Sequence, residues 1–376
     1  MGKAGGTSPA DPLELWWRPR ILGLTLLTLA LSALGGLGAT ALGLPGGWIM
    51  GGSLAVTVAA MIGLPVRMPV RLRDIAFVLI GMSMGTTVAS DSLSLLASWP
   101  ISLMGLVLEM VLIIALTGWM LVRVFKLDPG TAYLGSIPGH LSFIMGIASA
   151  GVGDARQIVI IQVIRLLMLT ICVPIGAMFL PVEHFGSAAP ATILSWGELL
   201  ALAAACVALG LVFMRLGVPA AMVMGPMALA TAAKLCGLYS GGMPEPLVIL
   251  AFVLTGALIG SRFAGITRQE FMQAALGGLI ATAMTVGIVT VVSFGVSRLV
   301  DMPFGQIWIG LSPGALEGMG ALGVALGFDA AFIAAHHMIR LLLLSFVIPL
   351  LVVLIRRRQG LSERAATAAT LPPAQG

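Results

Sequence analysis

The sequence predicts an all-α polytopic membrane protein with two inverted-topology repeats, each of about five spans plus one re-entrant or broken helix pair. Apolar residues make up 59% of the chain and charged residues 9%, and the mean hydropathy is +1.08. Soluble domains are about a quarter charged, which excludes a soluble enzyme. The charged residues leave about ten apolar runs near the ~20 residues that a spanning helix needs. The runs of the first half also return in the same order in the second half.

The two ends of the chain are polar. Residues 1–20 finish with Trp16, Trp17, Arg18 and Arg20, an aromatic and positive flank typical of a cytoplasmic membrane face. The run 21–44 exceeds the roughly 7 to 15 apolar residues of a signal peptide, so we expect a first span and no cleaved leader. We therefore predict a cytoplasmic N-terminal tail (1–20), membrane repeat 1 (21–190), membrane repeat 2 (191–358) and a disordered cytoplasmic tail (359–376).

The two predicted repeats can be aligned in a single register. Repeat 1 contains apolar segments at 21–44, 46–64, 74–90, 98–125 and 155–181, with a Gly-rich stretch at 130–152. Repeat 2 contains segments at 193–214, 219–238, 246–262, 270–297 and 330–355, with a Gly-rich stretch at 305–327. The alignment that sets Phe77 on Phe252, called the repeat register below, superimposes FVLIGMSMG (77–85) on FVLTGALIG (252–260) and GSIPG (135–139) on GLSPG (310–314). Matches of this kind in one register indicate a duplication.

Each repeat opens with a Pro-x-x-x-x-Met-Gly element and contains an x-Pro-Gly stretch towards its end. The opening elements are PGGWIMG (45–51) and PAAMVMG (219–225). With these motifs the chain resembles the AbrB-type family of duplicated polytopic membrane proteins, over about residues 45–355. Members of that family carry the labels ammonia monooxygenase and regulator of gene expression. The resemblance therefore implies a fold, but it implies no single activity.

The distribution of Lys and Arg distinguishes two topologies. If each Gly-rich stretch is re-entrant, each repeat has five spans, and the odd number inverts the second repeat. With a cytoplasmic N-terminus, this arrangement leaves only Arg298 in an outside loop. Six spans per repeat would instead place Arg156, Arg215, Arg262 and Arg268 outside. The positive-inside rule favours the inverted arrangement, with both termini cytoplasmic in a bacterial inner membrane.

The Gly-rich stretches contain paired backbone breaks at Pro138-Gly139 and Pro313-Gly314. Broken backbone at membrane depth persists only where protein or a water-filled cavity satisfies it. Breaks at matching positions of two halves point to a transport site. The alternative is that these residues only permit close packing or kinks.

Two arginines lie far inside predicted spans. The spacing from Asp154 to Arg165 is the same as that from Asp329 to Arg340, and it is close to three full helical turns. Each pair therefore shares one helix face, and each arginine lies roughly 16 Å from the membrane surface. An arginine at that depth indicates a functional site. We predict that both face one central cavity and bind an anionic substrate, together with the Pro-Gly breaks. In the alternative, they pair with Glu109, Glu317 or backbone carbonyls and only stabilise the fold.

Other ionisable residues are candidates for the same site. Glu109 and Glu317 have no acidic counterpart in the other repeat, and we assign them to the substrate site. Candidates for coupling a proton or sodium ion are Asp154, Asp329, His336 and His337. The aspartates could equally be N-cap residues, and the histidines could be structural, because the first repeat has Ile161 and Gln162 at their positions.

Together these features predict an ion-coupled secondary transporter of a small organic anion that works by alternating access in the lipid bilayer. We expect no enzyme activity, no cofactor, no metal site and no nucleic-acid partner. The absence of a G-x-x-x-x-G-K-[ST] motif argues against nucleotide hydrolysis, and the four histidines do not form a copper or iron ligand set. The sequence also shows no soluble domain, helix-turn-helix or long basic tail that would contact DNA. One alternative is a membrane regulator that affects gene expression indirectly; the other is a membrane monooxygenase. The substrate, the coupling ion and the oligomeric state, including a homo-oligomer, stay open.

Overall fold

A computed structural model describes residues 19–88, 99–139, 144, 147–148, 151–178, 192–300 and 302–370. In the first half the helices are α1 (Pro19–Ala41), α2 (Gly47–Met61), α3 (Val70–Thr87), α4 (Trp99–Leu112), α5 (Gly118–Arg123), α6 (Pro129–Ser136) and α7 (Ala155–Ala177), with a π-helical turn at Ile113–Thr117. In the second half they are α8 (Trp196–Arg215), α9 (Ala221–Leu235), α10 (Glu245–Ser261), α11 (Arg268–Ser297), α12 (Phe304–Leu311), α13 (Leu316–Ala325) and α14 (Ala330–Thr370). In these residues β structure is limited to an isolated bridge between Ile193 and Gly242. The all-α prediction is confirmed.

Several of these helices are built to cross a bilayer. Among the described residues, six are long and apolar enough: Pro19–Ala41, Trp99–Arg123, Ala155–Gly176, Trp196–Arg215, Arg268–Ser297 and Ala330–Ile355. The shortest has 20 residues and therefore extends about 30 Å, which matches the hydrocarbon thickness. Large apolar side chains cover their outer faces, for example Leu34 and Phe346. The chain is a multi-pass helical membrane protein.

The second half repeats the helix order of the first, and the halves pack on each other reciprocally. The half-helices α6 and α12 both have eight residues, and their first residues, Pro129 and Phe304, coincide in the repeat register. Helix α2 packs against α10, and its counterpart α9 packs against α3, which is the counterpart of α10. Exchange of partners between equivalent helices is what a two-fold relation between the halves produces. The packing is consistent with the predicted internal repeat.

Glycines at equivalent positions allow these crossings to be close. A Cβ atom on Gly85 of α3 would lie 2.7 Å from the carbonyl oxygen of Met227 in α9. A Cβ atom on Gly260 of α10 would lie 2.7 Å from the carbonyl oxygen of Ser53 in α2. Small residues let helix backbones approach in a membrane, where dispersion contacts drive association. The two repeats are therefore joined by two equivalent backbone-to-backbone crossings.

The ends of each Gly-rich stretch lie next to each other. The backbone N–H of Asp154 donates to Oγ1 of Thr131 at 2.6 Å, and the backbone N–H of Asp329 donates to Oε1 of Gln306 at 3.4 Å. The two contacts are equivalent, because the donors and the acceptors both coincide in the repeat register. Each stretch thus begins and ends at the same level, as a re-entrant hairpin does; the two stretches are called hairpins below. This agrees with five spans per repeat; the side of the membrane that each loop occupies stays a prediction.

The tips of the hairpins contain the predicted breaks. In the second hairpin, α12 ends at Leu311 and α13 begins at Leu316, so Pro313-Gly314 interrupts the helix. In the first hairpin, α6 ends at Ser136 and Gly139 follows with φ +116°, a backbone conformation that favours glycine. Most of the return limb of the first hairpin, residues 140–143, 145–146 and 149–150, lies outside the described residues.

Some boundaries differ from the prediction. Helix α3 begins at Val70 and so includes charged residues before 74 that we expected in a loop. Helix α14 continues to Thr370, although the segment from 359 was predicted to be disordered. Its composition explains this, because Ala, Glu and Arg are strong helix formers and the segment contains no proline before Pro372. Residues 1–18 and 371–376 lie outside the described residues.

Candidate functional site

A cavity of about 240 Å³ lies between the tips of the two hairpins. Much of its lining comes in pairs that coincide in the repeat register: Gly139 and Gly314, Gln162 and His337, Arg165 and Arg340, Leu166 and Leu341. The described residues that line it without a paired partner are Pro138, Ala220, Arg262, Ala315, Leu316 and Glu317. A lining of this kind is consistent with a site shared by the two predicted repeats.

Arg165 projects from α7 to the end of the half-helix α6. Its Nη2 donates to the carbonyl of Ile137 at 2.8 Å, and its Nη1 donates to the carbonyls of Gly135 and Ser136 at 3.4 and 3.3 Å. The last carbonyls of a helix have no partner within it and carry the negative end of its dipole. Arg165 therefore satisfies the end of α6 while it lines the cavity.

Arg340 has the equivalent arrangement in the second repeat. From α14, its Nη1 donates to the carbonyl of Leu311 at 3.2 Å and its Nη2 donates to the carbonyl of Gly310 at 3.3 Å. The side chain is 2% exposed, and it nevertheless borders the cavity. The structure thus brings both predicted arginines to one cavity. It also gives each arginine contacts with backbone carbonyls, as predicted by the alternative in which the arginines only stabilise the fold.

Glu109 lies behind Arg340. Its Oε1 is 4.0 Å from Nη1 of Arg340, and its side chain is 0% exposed. Neither carboxylate oxygen accepts a hydrogen bond from the described part of the chain. Glu109 is not among the described residues that line the cavity, so its predicted direct role in substrate binding stays a prediction.

Glu317 forms an ion pair that sequence reasoning missed. In the first turn of α13, its Oε1 accepts from Nη2 of Arg262 at 3.1 Å. Both side chains line the cavity. Arg262 follows the last residue of α10, and its equivalent in the first repeat is Thr87. An arginine at the end of a span usually marks the cytoplasmic side of the membrane. The first repeat has no arginine at the matching position, so the sequence did not indicate a role in the cavity.

The two aspartates occupy helix N-caps. Oδ1 of Asp154 accepts from the backbone N–H of Arg156 at 2.8 Å. Oδ1 of Asp329 accepts from the backbone N–H of Ala331 at 2.8 Å. Neither is among the described residues that line the cavity. Their geometry is that of ordinary capping residues, and their role in ion coupling stays a prediction.

The adjacent histidines have different surroundings. In His336, Nδ1 is 2.8 Å from the carbonyl of Phe332 and Nε2 is 2.8 Å from Oγ of Ser102, so both ring nitrogens are used. In His337, Nδ1 is 2.9 Å from the carbonyl of Ile333, whereas Nε2 has no partner among the described residues. Because a carbonyl only accepts, we assign the proton to Nδ1 in both rings. Only His337 borders the cavity.

The charged groups around the cavity are mainly basic. The described lining contains Arg165, Arg262 and Arg340 but only one acidic side chain, Glu317. A guanidinium group presents a planar fork of donors that matches a carboxylate. Within the described parts of the chain, no three His, Cys, Asp or Glu side chains are grouped so that they could share a metal ion. The lining is therefore suited to an anionic ligand.

Comparison with known proteins gives the family. The family model described as Transition state regulatory protein AbrB matches residues 48–356. The chain belongs to the AbrB family. It is 26% identical over 326 residues to a protein of Escherichia coli (strain K12) provisionally named regulator AbrB, which covers 85% of this chain and 91% of that protein. It is 25% identical over 356 residues to Uncharacterized protein YhjN of Bacillus subtilis (strain 168), at 85% and 90% coverage. The resemblance inferred from the duplicated motifs is confirmed.

Proposed function

We propose that this AbrB-family protein is an ion-coupled secondary transporter that moves a small organic anion across a bacterial inner membrane by alternating access. One observation carries the proposal. The cavity is lined by two buried arginines, Arg165 and Arg340, that occupy equivalent positions in the repeat register. Arginines at membrane depth are costly and are found where they serve a function.

The chemistry of the cavity supports an anion as its ligand. Arg165 and Arg340 each keep N–H donors beyond those that bind backbone carbonyls, because a guanidinium has five. The N-terminus of α13 also lies at the cavity, with Ala315 and Leu316 in the lining. The first N–H groups of a helix attract negative charge. A carboxylate between the arginines would meet donors from both repeats.

The architecture supports alternating access. Two related re-entrant hairpins meet at the cavity, and exchange of conformations between the two repeats would open it to each side in turn. The described structure is asymmetric at this point, because the ion pair between Arg262 and Glu317 belongs to the second repeat alone. Its equivalent positions are Thr87 and Ser142, and Ser142 lies outside the described residues. An ion pair on one side of a shared site is a suitable gate.

Uptake into proteoliposomes tests the proposal. Radiolabelled pyruvate, succinate and benzoate are offered under an imposed pH gradient or sodium gradient. We expect at least one anion to accumulate with wild-type protein and not with Arg340→Gln. The matched control is Arg268→Gln, which removes an exposed arginine outside the cavity and should transport normally. Uptake at the rate of empty liposomes for all three anions under both gradients would contradict the proposal.

An indirect regulator of gene expression is the second candidate. The description of the family and the provisional name of the Escherichia coli relative favour it. The two candidates differ in one respect. If regulation results from transport, a strain carrying Arg340→Gln should show the same transcript changes as a deletion strain. If that variant restores the wild-type transcripts without restoring transport, the regulatory role is independent.

A further inference from the structure

Glu109 is a buried acidic residue that is not among the described residues lining the cavity. We propose that Glu109 is the proton-binding site that couples this transporter to a proton gradient, because it shares Arg340 with the transported anion. This inference rests on the proposed function and names its coupling ion. It also moves the coupling site from the capping aspartates to the centre of the protein.

The surroundings of Glu109 leave Arg340 as its partner. Both carboxylate oxygens are buried without a hydrogen bond from the described residues, and Nη1 of Arg340 lies 4.0 Å from Oε1. A buried carboxylate without hydrogen bonds is strongly disfavoured unless an opposite charge compensates it. The charge state of Glu109 therefore depends on how far Arg340 is available to it.

Arg340 joins Glu109 to the cavity, since Arg340 lines the cavity while Glu109 does not. An anion that binds Arg340 introduces a second negative charge beside the same guanidinium. Glu109 then takes up one proton from the water of the cavity and becomes a neutral carboxylic acid. When the anion leaves, Arg340 again favours the carboxylate, and the proton is released. By reciprocity, protonation of Glu109 strengthens anion binding by the same factor.

Other titratable groups near Glu109 are few. Helix α14 packs against α4 and contributes His336, His337 and Arg340. Helix α12, which also packs against α4, contains no ionisable residue. Helix α11 contacts α4 near Val296. Arg268 and Glu270 lie in its first turn, roughly 40 Å from there, and Arg298 at its other end is exposed and lies over the ring of Phe294. Among the described residues, Arg340 is the charged group that an ion-pair contact places beside Glu109.

A feature of the backbone supports the assignment independently. The π-helical turn Ile113–Thr117 begins one turn after Glu109. Turns of this kind are rare within α-helices and occur frequently at functional sites. The second repeat has Met284 at the position of Glu109, so within the described residues Arg165 lacks an equivalent carboxylate. The assignment therefore gives one proton per chain in each cycle.

Infrared titration of the substrate-free protein tests the inference. The C=O stretch of a protonated buried carboxyl group is recorded against pH in the wild type and in Glu109→Gln, and the difference isolates Glu109. We expect a band that titrates reversibly between about pH 6 and pH 9, because a coupling group must change protonation near the working pH. Arg340→Gln should raise the proton affinity of Glu109 at least tenfold and so move the midpoint to higher pH. Arg340→Lys, which retains the charge, should move it less.

The outcomes separate this inference from the proposed function. A wild-type band that stays constant over that pH range, or a midpoint unchanged by Arg340→Gln, would overturn the role of Glu109 and leave anion transport untouched. If Arg340→Gln does not fold, the comparison of wild type with Glu109→Gln still decides whether Glu109 titrates. Because the titration uses no substrate, failure to find a transported anion cannot produce either result.

Discussion

Arg165 donates to the carbonyl of Gly135, and Arg340 donates to the carbonyl of Gly310, so that both the donors and the acceptors coincide in the repeat register. Helix α7 thereby holds the end of α6, and α14 holds the end of α12. The contact places a positive charge at the tip of each hairpin and fixes the tip at the cavity. The same two arginines thus contact the backbone and border the cavity.

We expect Arg165→Gln to destabilise the substrate-free protein. The substitution removes a charged donor from three carbonyls, and each hydrogen bond to a charged group contributes about 1.5 to 3 kcal/mol. Thermal unfolding in detergent should show a clearly lower Tm for Arg165→Gln and for Arg340→Gln. Arg268→Gln is the control and should leave Tm unchanged. If all three variants have the same Tm as the wild type, the carbonyl contacts do not stabilise the hairpins.

The equivalent helix crossings predict a second effect on stability. Gly85→Ala should lower the Tm, because the new Cβ would lie 2.6 Å from Cβ of Ala230 and 2.7 Å from the carbonyl oxygen of Met227, and overpacking costs about 1 to 3 kcal/mol. Gly287→Ala is the matched control. Its Cβ would have no atom within 4 Å, and alanine is the better helix former by about 1 kcal/mol. Equal shifts for both variants would argue against close crossings.

The inverted topology predicts opposite labelling of equivalent loops. Leu64 and Leu238 are both exposed and follow the matching helices α2 and α9. In a background without Cys172, Cys206 and Cys236, an impermeant thiol reagent added to intact cells should label Leu238→Cys and leave Leu64→Cys unlabelled. Labelling of both residues from outside, or of neither, would indicate parallel repeats.

The sequence was most informative where the duplication constrained it. The repeat register predicted the positions of the helices and the breaks at the hairpin tips. It also predicted that Arg165 and Arg340 line the same cavity. It could not predict contacts that occur once. Arg262 in the cavity has Thr87 as its equivalent, and Glu109 approaches Arg340 through packing between distant helices.

Spacing along a helix also could not separate neighbouring roles. Asp154 shares a predicted helix face with Arg165, yet it caps the helix while Arg165 reaches the cavity. His336 and His337 are adjacent, but the first is bound to Ser102 and the second borders the cavity. The role of each of these residues depends on where its side chain points and on its hydrogen-bond partners, and both are set by the folded structure.

The central claim is that an organic anion binds between Arg165 and Arg340. The most direct test is the thermal stability of purified wild-type protein with a panel of small carboxylates and their neutral amides. A ligand that binds only the folded state stabilises it by about 2.7 kcal/mol at 100 times its Kd. We predict that at least one carboxylate raises Tm saturably, that its amide does not, and that the shift is lost in Arg165→Gln and Arg340→Gln, each compared with its own ligand-free Tm. Equal shifts for acid and amide, a shift retained in both variants, or no shift with any carboxylate would contradict the claim.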